Sequence, residues 1–66
     1  MMTLFIPHLG GVCIVEGISK LSGELRVQLR HGKPGDPGKG WFDVSELGLS
    51  MGDRLKLRAR YPNFFD

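Results

Sequence analysis

The sequence has one cysteine, no long apolar run and few helix-forming alanines. The single cysteine, Cys13, excludes an internal disulfide and a cysteine-only zinc cluster. No apolar stretch approaches the ~20 residues that a membrane span needs. The segment Met1 to Leu9 lacks the basic residues that open a secretory signal. We therefore expect a cytoplasmic protein that does not bind membranes.

Helix-forming residues are also scarce. Ala59 is the single alanine, whereas ten glycines and four prolines are spread along the 66 residues. Alanine is the best helix former, and glycine and proline are the worst. The composition predicts an all-β protein with at most one short helical turn, placed at 45–50. A chain of this length forms one small domain, residues 1–66.

Several short segments have the patterns of β-strands. Apolar runs at 3–6 and 12–15, alternation at 25–30, a short run at 41–44 and strict alternation at 54–60 predict about five strands. None of the connections is long enough for a parallel crossover, so the strands should be antiparallel. Together they predict a small β-barrel of either the SH3-like or the OB-like type.

The register of the second and third strands can be predicted in more detail. Ser22-Gly23 is typical of a two-residue hairpin turn. Continuing that pairing without interruption would set Val15 against Arg30. One extra residue at Glu16-Gly17 sets Val15 against Leu29 instead, so we predict a β-bulge there.

Two partial resemblances are present. The segments Val15-Glu16-Gly17, Arg26 to Leu29 and Gly52 to Leu55 resemble the scaffold of small OB-fold RNA binders such as bacterial translation initiation factor one. Residues 47–55 look like the turn before the last strands of AbrB-type swapped-hairpin transcription factors. Both resemblances imply nucleic-acid binding.

Basic residues are concentrated on two of the expected strands. The chain has nine lysines and arginines against seven acids, so its net charge is only +2. Guanidinium groups bind phosphate oxygens bidentately, and a row of cations on a strand favours a polyanion. The alternative is a solvated sheet face. The predicted phosphate contacts are Arg26, Arg30, Arg54, Lys56, Arg58 and Arg60.

Trp41 and a glycine-proline loop could extend this surface. If Phe42 and Val44 face the core, Trp41 points outward, where an indole can stack on a base. The alternative is a tryptophan that covers the core. The segment 32–40, GKPGDPGKG, is expected to be a mobile loop, in which Lys33 and Lys39 could contact a nucleic-acid backbone.

No residue pattern indicates catalysis. His8, His31 and Cys13 do not have the spacing of a zinc site. No nucleophile is placed beside a base, and no pair of carboxylates lies in a motif. We expect no enzyme activity, no cofactor, no metal and no small-molecule substrate.

The C-terminal segment 61–66 contains three aromatic residues, Tyr61, Phe64 and Phe65. They could fold back over the core or dock on another chain, and we predict docking within a homo-oligomer, by default a dimer. The sequence thus predicts a DNA- or RNA-binding β-barrel. The alternative is a protein-interaction module that uses this aromatic tail, a subunit or inhibitor of a larger assembly such as one encoded by a phage or mobile element.

Overall fold

The computed structural model describes residues 1–65. Its four strands are neighbours in the sheet in the same order as in the chain. They form one open antiparallel sheet in the order β1-β2-β3-β4. The strands are β1 (Thr3–Ile6), β2 (Gly11–Leu21), β3 (Glu24–His31) and β4 (Gly38–Asp43). A single α-helix, α1 (Met51–Arg60), follows the sheet. The prediction of a mostly β fold is therefore confirmed, whereas the closed five-stranded barrel is wrong.

The β2–β3 hairpin has the predicted turn and the predicted bulge. Ser22 and Gly23 both have positive φ, 51° and 81°, which gives a turn whose twist matches that of the strands. Val15 pairs with Leu29 and Gly17 with Gln28, so Glu16 is the extra residue. Side chains would otherwise alternate, but this insertion places both Glu16 and Gly17 on the same face of the sheet.

The core lies on one face of the sheet, where alternate residues of β1, β2 and β3 are buried. The segment between β4 and α1 covers it, since Val44, Leu47 and Leu49 are buried there. The helix contributes one fully buried residue, Leu57. Cys13 is also fully buried and packs as a small apolar residue. The complete set of buried residues is Leu4, Ile6, Leu9, Cys13, Val15, Val27, Leu29, Val44, Leu47, Leu49 and Leu57.

The predicted last strand, 54–60, is wrong, because this segment is helical. Ser50 caps the helix, with its Oγ accepting a hydrogen bond from the Asp53 N–H at 3.1 Å. Leucine, lysine, arginine and alanine, which fill the segment, are all good helix formers. Residues 51–53 form the first turn of α1. Gly52 to Leu55, a segment that both family resemblances include, is therefore helical and does not lead into a strand.

Helix α1 runs along the outer edge of β1 and satisfies its backbone. Asp53 Oδ2 accepts a hydrogen bond from the Phe5 N–H at 2.8 Å. Lys56 Nζ donates to the Thr3 carbonyl at 2.7 Å. Side chains of the helix thus occupy backbone groups that would otherwise be free for another strand.

Three short helical segments lie between these elements and after α1. Three 3-10 turns span Pro7–Leu9, Val44–Glu46 and Pro62–Phe64. Asp43 caps the second of them, accepting from the Ser45 N–H at 3.0 Å, close to the single helical turn predicted at 45–50. The expectation of at most one short helical turn is nevertheless wrong. No helix in residues 1–65 is long and apolar enough to cross a bilayer.

The predicted loop at 32–40 is shorter than expected, because Gly38–Gly40 belongs to β4. A hydrogen bond from the Asp36 N–H to the Lys33 carbonyl, 2.9 Å long, closes a turn in the remaining segment. The Lys33 N–H in turn donates to His31 Nδ1 at 3.1 Å. The connection between β3 and β4 is therefore held by local hydrogen bonds.

Candidate nucleic-acid interface

The sheet face opposite the core is not covered by any element of residues 1–65, and we call it the outer face. Strand alternation and the Glu16-Gly17 bulge determine which side chains lie on it. Apolar, aromatic and basic residues are mixed there, and no helix packs over them. Its central members are Phe5, Val12, Ile14, Glu16, Gly17, Arg26, Gln28, Arg30, Lys39 and Trp41.

Trp41 occupies the middle of the outer face, next to its cross-strand partner Gln28. A Cβ atom on Gly17 would lie 3.6 Å from Cη2 of the indole. The ring therefore lies against the bulge, at the place where any other residue would carry a side chain. Trp41 keeps 45% of its surface exposed, which leaves part of the ring open to a ligand. The outward position that alternation predicted for Trp41 is what the structure shows.

Three cations share the outer face with Trp41. Arg30 and Lys39 are exposed and lie opposite each other on neighbouring strands. Arg26 is half-buried opposite Asp43, and its Nε atom is buried without a hydrogen-bond partner in the described residues. Arg26 and Arg30 were predicted as phosphate contacts on one strand and Lys39 as a backbone contact in the 32–40 loop, and the sheet brings the three together.

Glu16 links two of these cations. Its Oε1 atom lies 3.4 Å from Arg30 Nη2 and 3.4 Å from Lys39 Nζ. The hydrogen bond with Lys39, and then the one with Arg30, lower the pKa of Glu16. Glu16 was not singled out from the sequence as a site residue. The predicted bulge was the signal for it, because it moves Glu16 and Gly17 to one face.

The opposite end of the same strands is acidic. Glu24 and Asp43 are close enough to share a hydrogen bond, which raises the pKa of Glu24 and lowers that of Asp43. The positive charge of Arg26 lowers both. The outer face therefore has one acidic end, at Glu24 and Asp43, and one basic end, at Arg30 and Lys39.

The four cations predicted to form one row are separated by the helix. In α1, Arg54 and Arg58 lie one turn apart on one side, and Lys56 and Arg60 on another. Lys56 already contacts β1 and lies 3.5 Å from Asp53. The Arg60 guanidinium carbon lies 5.1 Å from the centroid of the Tyr61 ring. Helix α1 thus does not present the aligned cationic row that an alternating strand would have had.

The aromatic tail folds back on its own chain. Tyr61 and Phe65 are half-buried and pack against the core. Phe64 meets the Tyr61 ring edge-on, with 6.3 Å between centroids. Of the two alternatives for this tail, folding back is the one that the structure shows for residues 61–65. Asp66, the last residue of the predicted tail, lies outside the described residues.

Other predicted contacts remain apart from this surface. Lys33 is exposed in the β3–β4 connection and has no ion pair within residues 1–65.

Burial raises the pKa of the Cys13 thiol, so it is held as an un-ionised group. In the described part of the chain, no three His, Cys, Asp or Glu side chains are grouped to hold a metal ion.

Comparison of the chain with protein-family models, with curated proteins and with solved structures gives no match. The geometry of the outer face is therefore the feature that points to a function.

Proposed function

We propose that this chain binds single-stranded nucleic acid on the outer face. The observation that carries the proposal is the position of Trp41, which lies against Gly17 on an open sheet that also carries Arg26, Arg30 and Lys39. An exposed aromatic ring among cations is the combination that unpaired bases and their phosphates require. A duplex hides its base faces and would not use the indole.

Each group has a separate role in this proposal. The Trp41 ring stacks on one base, an interaction worth about 1–3 kcal/mol. Arg30 and Lys39, exposed and side by side, contact phosphates. Glu16 holds these two cations together before the ligand arrives, and it must release them in part when phosphates bind.

The helix has a smaller role in the proposal than the sequence alone suggested. Lys56 is engaged with the β1 backbone, and the remaining helix cations, Arg54, Arg58 and Arg60, do not lie on the outer face. They add to the positive potential that attracts a polyanion. They do not contact the base that stacks on Trp41.

Trp41 is the single tryptophan of the chain, so its fluorescence reports on the proposed site directly. Titration with oligo-dT and oligo-U should quench the emission. With two phosphate contacts, the logarithm of the binding constant should fall with the logarithm of salt concentration with a slope of about −1.4. Heparin, a polyanion without bases, should bind without the stacking signal.

Two charge reversals provide a matched comparison. Arg30→Glu should weaken oligonucleotide binding strongly and flatten the salt slope. Arg58→Glu changes the net charge equally but lies on α1, so it should have a much smaller effect. Equal losses in both variants would mean that net charge, and not the outer face, determines binding. Absence of binding at low salt would overturn the proposal and favour the protein-interaction module.

The protein-interaction alternative would use a different surface from the one expected. The aromatic tail packs on the chain's own core, whereas Phe5 and Val12 are 61% and 66% exposed and face each other on β1 and β2. A protein partner would therefore bind this apolar end of the outer face. Phe5→Ser with Val12→Ser would abolish such binding and leave Trp41 in place.

A further inference from the structure

The two edges of the sheet differ in how their backbones are satisfied. Helix α1 covers the β1 edge through Asp53 and Lys56. Strand β4 is the other edge, and no further strand in residues 1–65 pairs with it. It has no proline between Gly38 and Asp43, so every residue of the strand has a backbone N–H that can pair.

The hydrogen-bond alternation of the sheet shows which backbone groups are free. The Val15 N–H donates to the Met2 carbonyl on the β1 side. In an antiparallel sheet, successive residues point their backbone groups to opposite sides. Ile14, the neighbour of Val15, therefore faces β3, where its partner is Arg30.

The same alternation continues across β3 to β4. Because Arg30 faces β2, its neighbour Leu29 faces β4, where it pairs with Gly40. Gly40 thus directs its backbone groups toward β3. Lys39 and Trp41, its neighbours, direct their N–H and carbonyl groups away from the sheet. Asp43 directs its N–H the same way, whereas its carbonyl belongs to the 3-10 turn that follows.

We propose that a second copy of this chain pairs with β4, joining two sheets antiparallel about a two-fold axis at Trp41. In this register Trp41 lies opposite the partner's Trp41, and Lys39 lies opposite the partner's Asp43. The free groups of Trp41, together with the Asp43 N–H and the Lys39 carbonyl of each copy, then form about four interstrand hydrogen bonds. Closed two-fold dimers are the commonest assemblies of identical chains.

Side-chain complementarity selects this register. On the outer face, the register places Lys39 of each copy opposite Asp43 of the other. These two opposite-charge cross-strand pairs are stabilising. On the core side, Phe42 lies opposite the partner's Gly40, and the missing side chain of glycine leaves room for the ring. A shift by two residues would lose the charge pairs. A lysine on an edge strand normally prevents association, and here it would make the association specific.

The dimer does not depend on nucleic-acid binding. It would place two outer faces side by side as one eight-stranded surface, with the two Trp41 rings at its centre. It also differs from the tail-mediated contact expected from the sequence, because Tyr61 and Phe65 are already packed on their own core. Charge reversals at Lys39 and Asp43 separate the two interfaces, because neither residue lies in the tail.

Reversing the charges of Lys39 and Asp43, in separate variants and then in a mixture of the two, tests the proposal. Sedimentation of the wild-type chain should give twice the 7.3 kDa of one copy, and dilution should shift the Trp41 emission to the red. Lys39→Asp alone and Asp43→Lys alone set like charges opposite each other, so each should weaken the dimer by at least about tenfold. An equimolar mixture of the two variants should recover a heterodimer.

Controls separate the interface from general effects. Lys33→Asp makes the same charge change in the β3–β4 connection and should leave the dimer intact. Asp43→Lys also removes the hydrogen bond by which Asp43 caps the Val44–Glu46 turn. Loss of that cap would weaken the variant, but it would not restore dimer formation when the two variants are mixed. A monomeric wild-type chain at high concentration would overturn the proposal. So would a dimer that survives both charge reversals, or folded variants that form no heterodimer when mixed.

Discussion

The indole of Trp41 lies against Gly17, with 3.6 Å between its Cη2 atom and the place where a Gly17 side chain would begin. Two features produce this contact. The bulge turns Gly17 toward the outer face, and the pairing of Gln28 with both residues brings β2 and β4 to either side of it. Because Gly17 has no side chain, the indole of Trp41 can lie against the backbone of the bulge.

A large side chain at position 17 should displace the Trp41 indole from the bulge. In Gly17→Leu, the new side chain needs the space of the ring, so Trp41 emission should shift to the red and become easier to quench with acrylamide. Oligonucleotide affinity should fall by about tenfold, because stacking is worth about 1–3 kcal/mol per base. Gly17→Ala is the control, since 3.6 Å is an ordinary contact distance and the ring should stay in place. Unchanged emission in Gly17→Leu would contradict this account.

Removing the carboxylate of Glu16 should strengthen binding. Glu16 is paired with both Arg30 and Lys39, and it competes with phosphates for them. In Glu16→Gln, affinity for oligo-dT should rise severalfold, and the salt slope should become steeper by about 0.7. Glu46→Gln removes an exposed acid from the turn after β4 and serves as the matched control. If both variants gain equally, the effect is one of net charge.

The same ion pairs predict a pH dependence of stability. Lys39 and Arg30 lower the pKa of Glu16, so the folded chain favours its ionised form. This contribution is fully present above the unfolded pKa of glutamate, about 4.3, and is lost as pH falls through the lowered folded value. Thermal unfolding of wild type and Glu16→Gln should therefore differ near neutral pH and converge in acid. A difference that grows in acid would contradict the assignment.

The sequence was sufficient for the β2–β3 hairpin because its constraints are local. Keeping Val15 and Ile18 on the side of Leu29 and Val27 requires one extra residue, and the turn fixes the register from which this is counted. The outward direction of Trp41 followed from the same alternation. Its contact with Gly17 could be found only when the β2–β3 and β3–β4 registers were combined.

The sequence was insufficient for α1 because two periods fit the same residues. Leu55, Leu57 and Ala59 alternate with cations, which is the pattern of a strand with one apolar face. In the helix only Leu57 is buried, and Leu55 remains 58% exposed. Local preference and the cap at Ser50 outweighed that pattern. The Asp53 and Lys56 contacts with β1 are long-range, and alternation gives no sign of them.

Gly10 is expected to be the glycine least tolerant of substitution. It has φ of +87°, and a Cβ there would lie 2.2 Å from the Gly32 carbonyl oxygen. Gly10→Ala should lower the free energy of unfolding by about 3 kcal/mol or more, through backbone strain together with a clash against backbone. Gly23→Ala has a similar φ of +81° but open space around it, so it should cost only about 1 kcal/mol. Urea denaturation of both variants measures the difference.

The helix should protect the β1 edge through Asp53. Its carboxylate accepts the Phe5 N–H, and this hydrogen bond is the reason that the Phe5 amide should exchange slowly with solvent. Asp53→Ala should cost about 1–2 kcal/mol and expose that amide. Ser50→Ala removes the helix cap and should cost about 1 kcal/mol, while the Asp53 contact persists whenever the helix is formed.

Hydrogen exchange distinguishes these two roles. At matched overall stability, the Phe5 amide should lose protection in Asp53→Ala and keep most of it in Ser50→Ala. Arg58→Ala, on an exposed position of the same helix, should change stability by no more than about 0.5 kcal/mol and leave exchange unaltered. If the Phe5 amide stays protected in Asp53→Ala, then packing of Leu57 alone holds the helix against β1, and the carboxylate does not seal the edge.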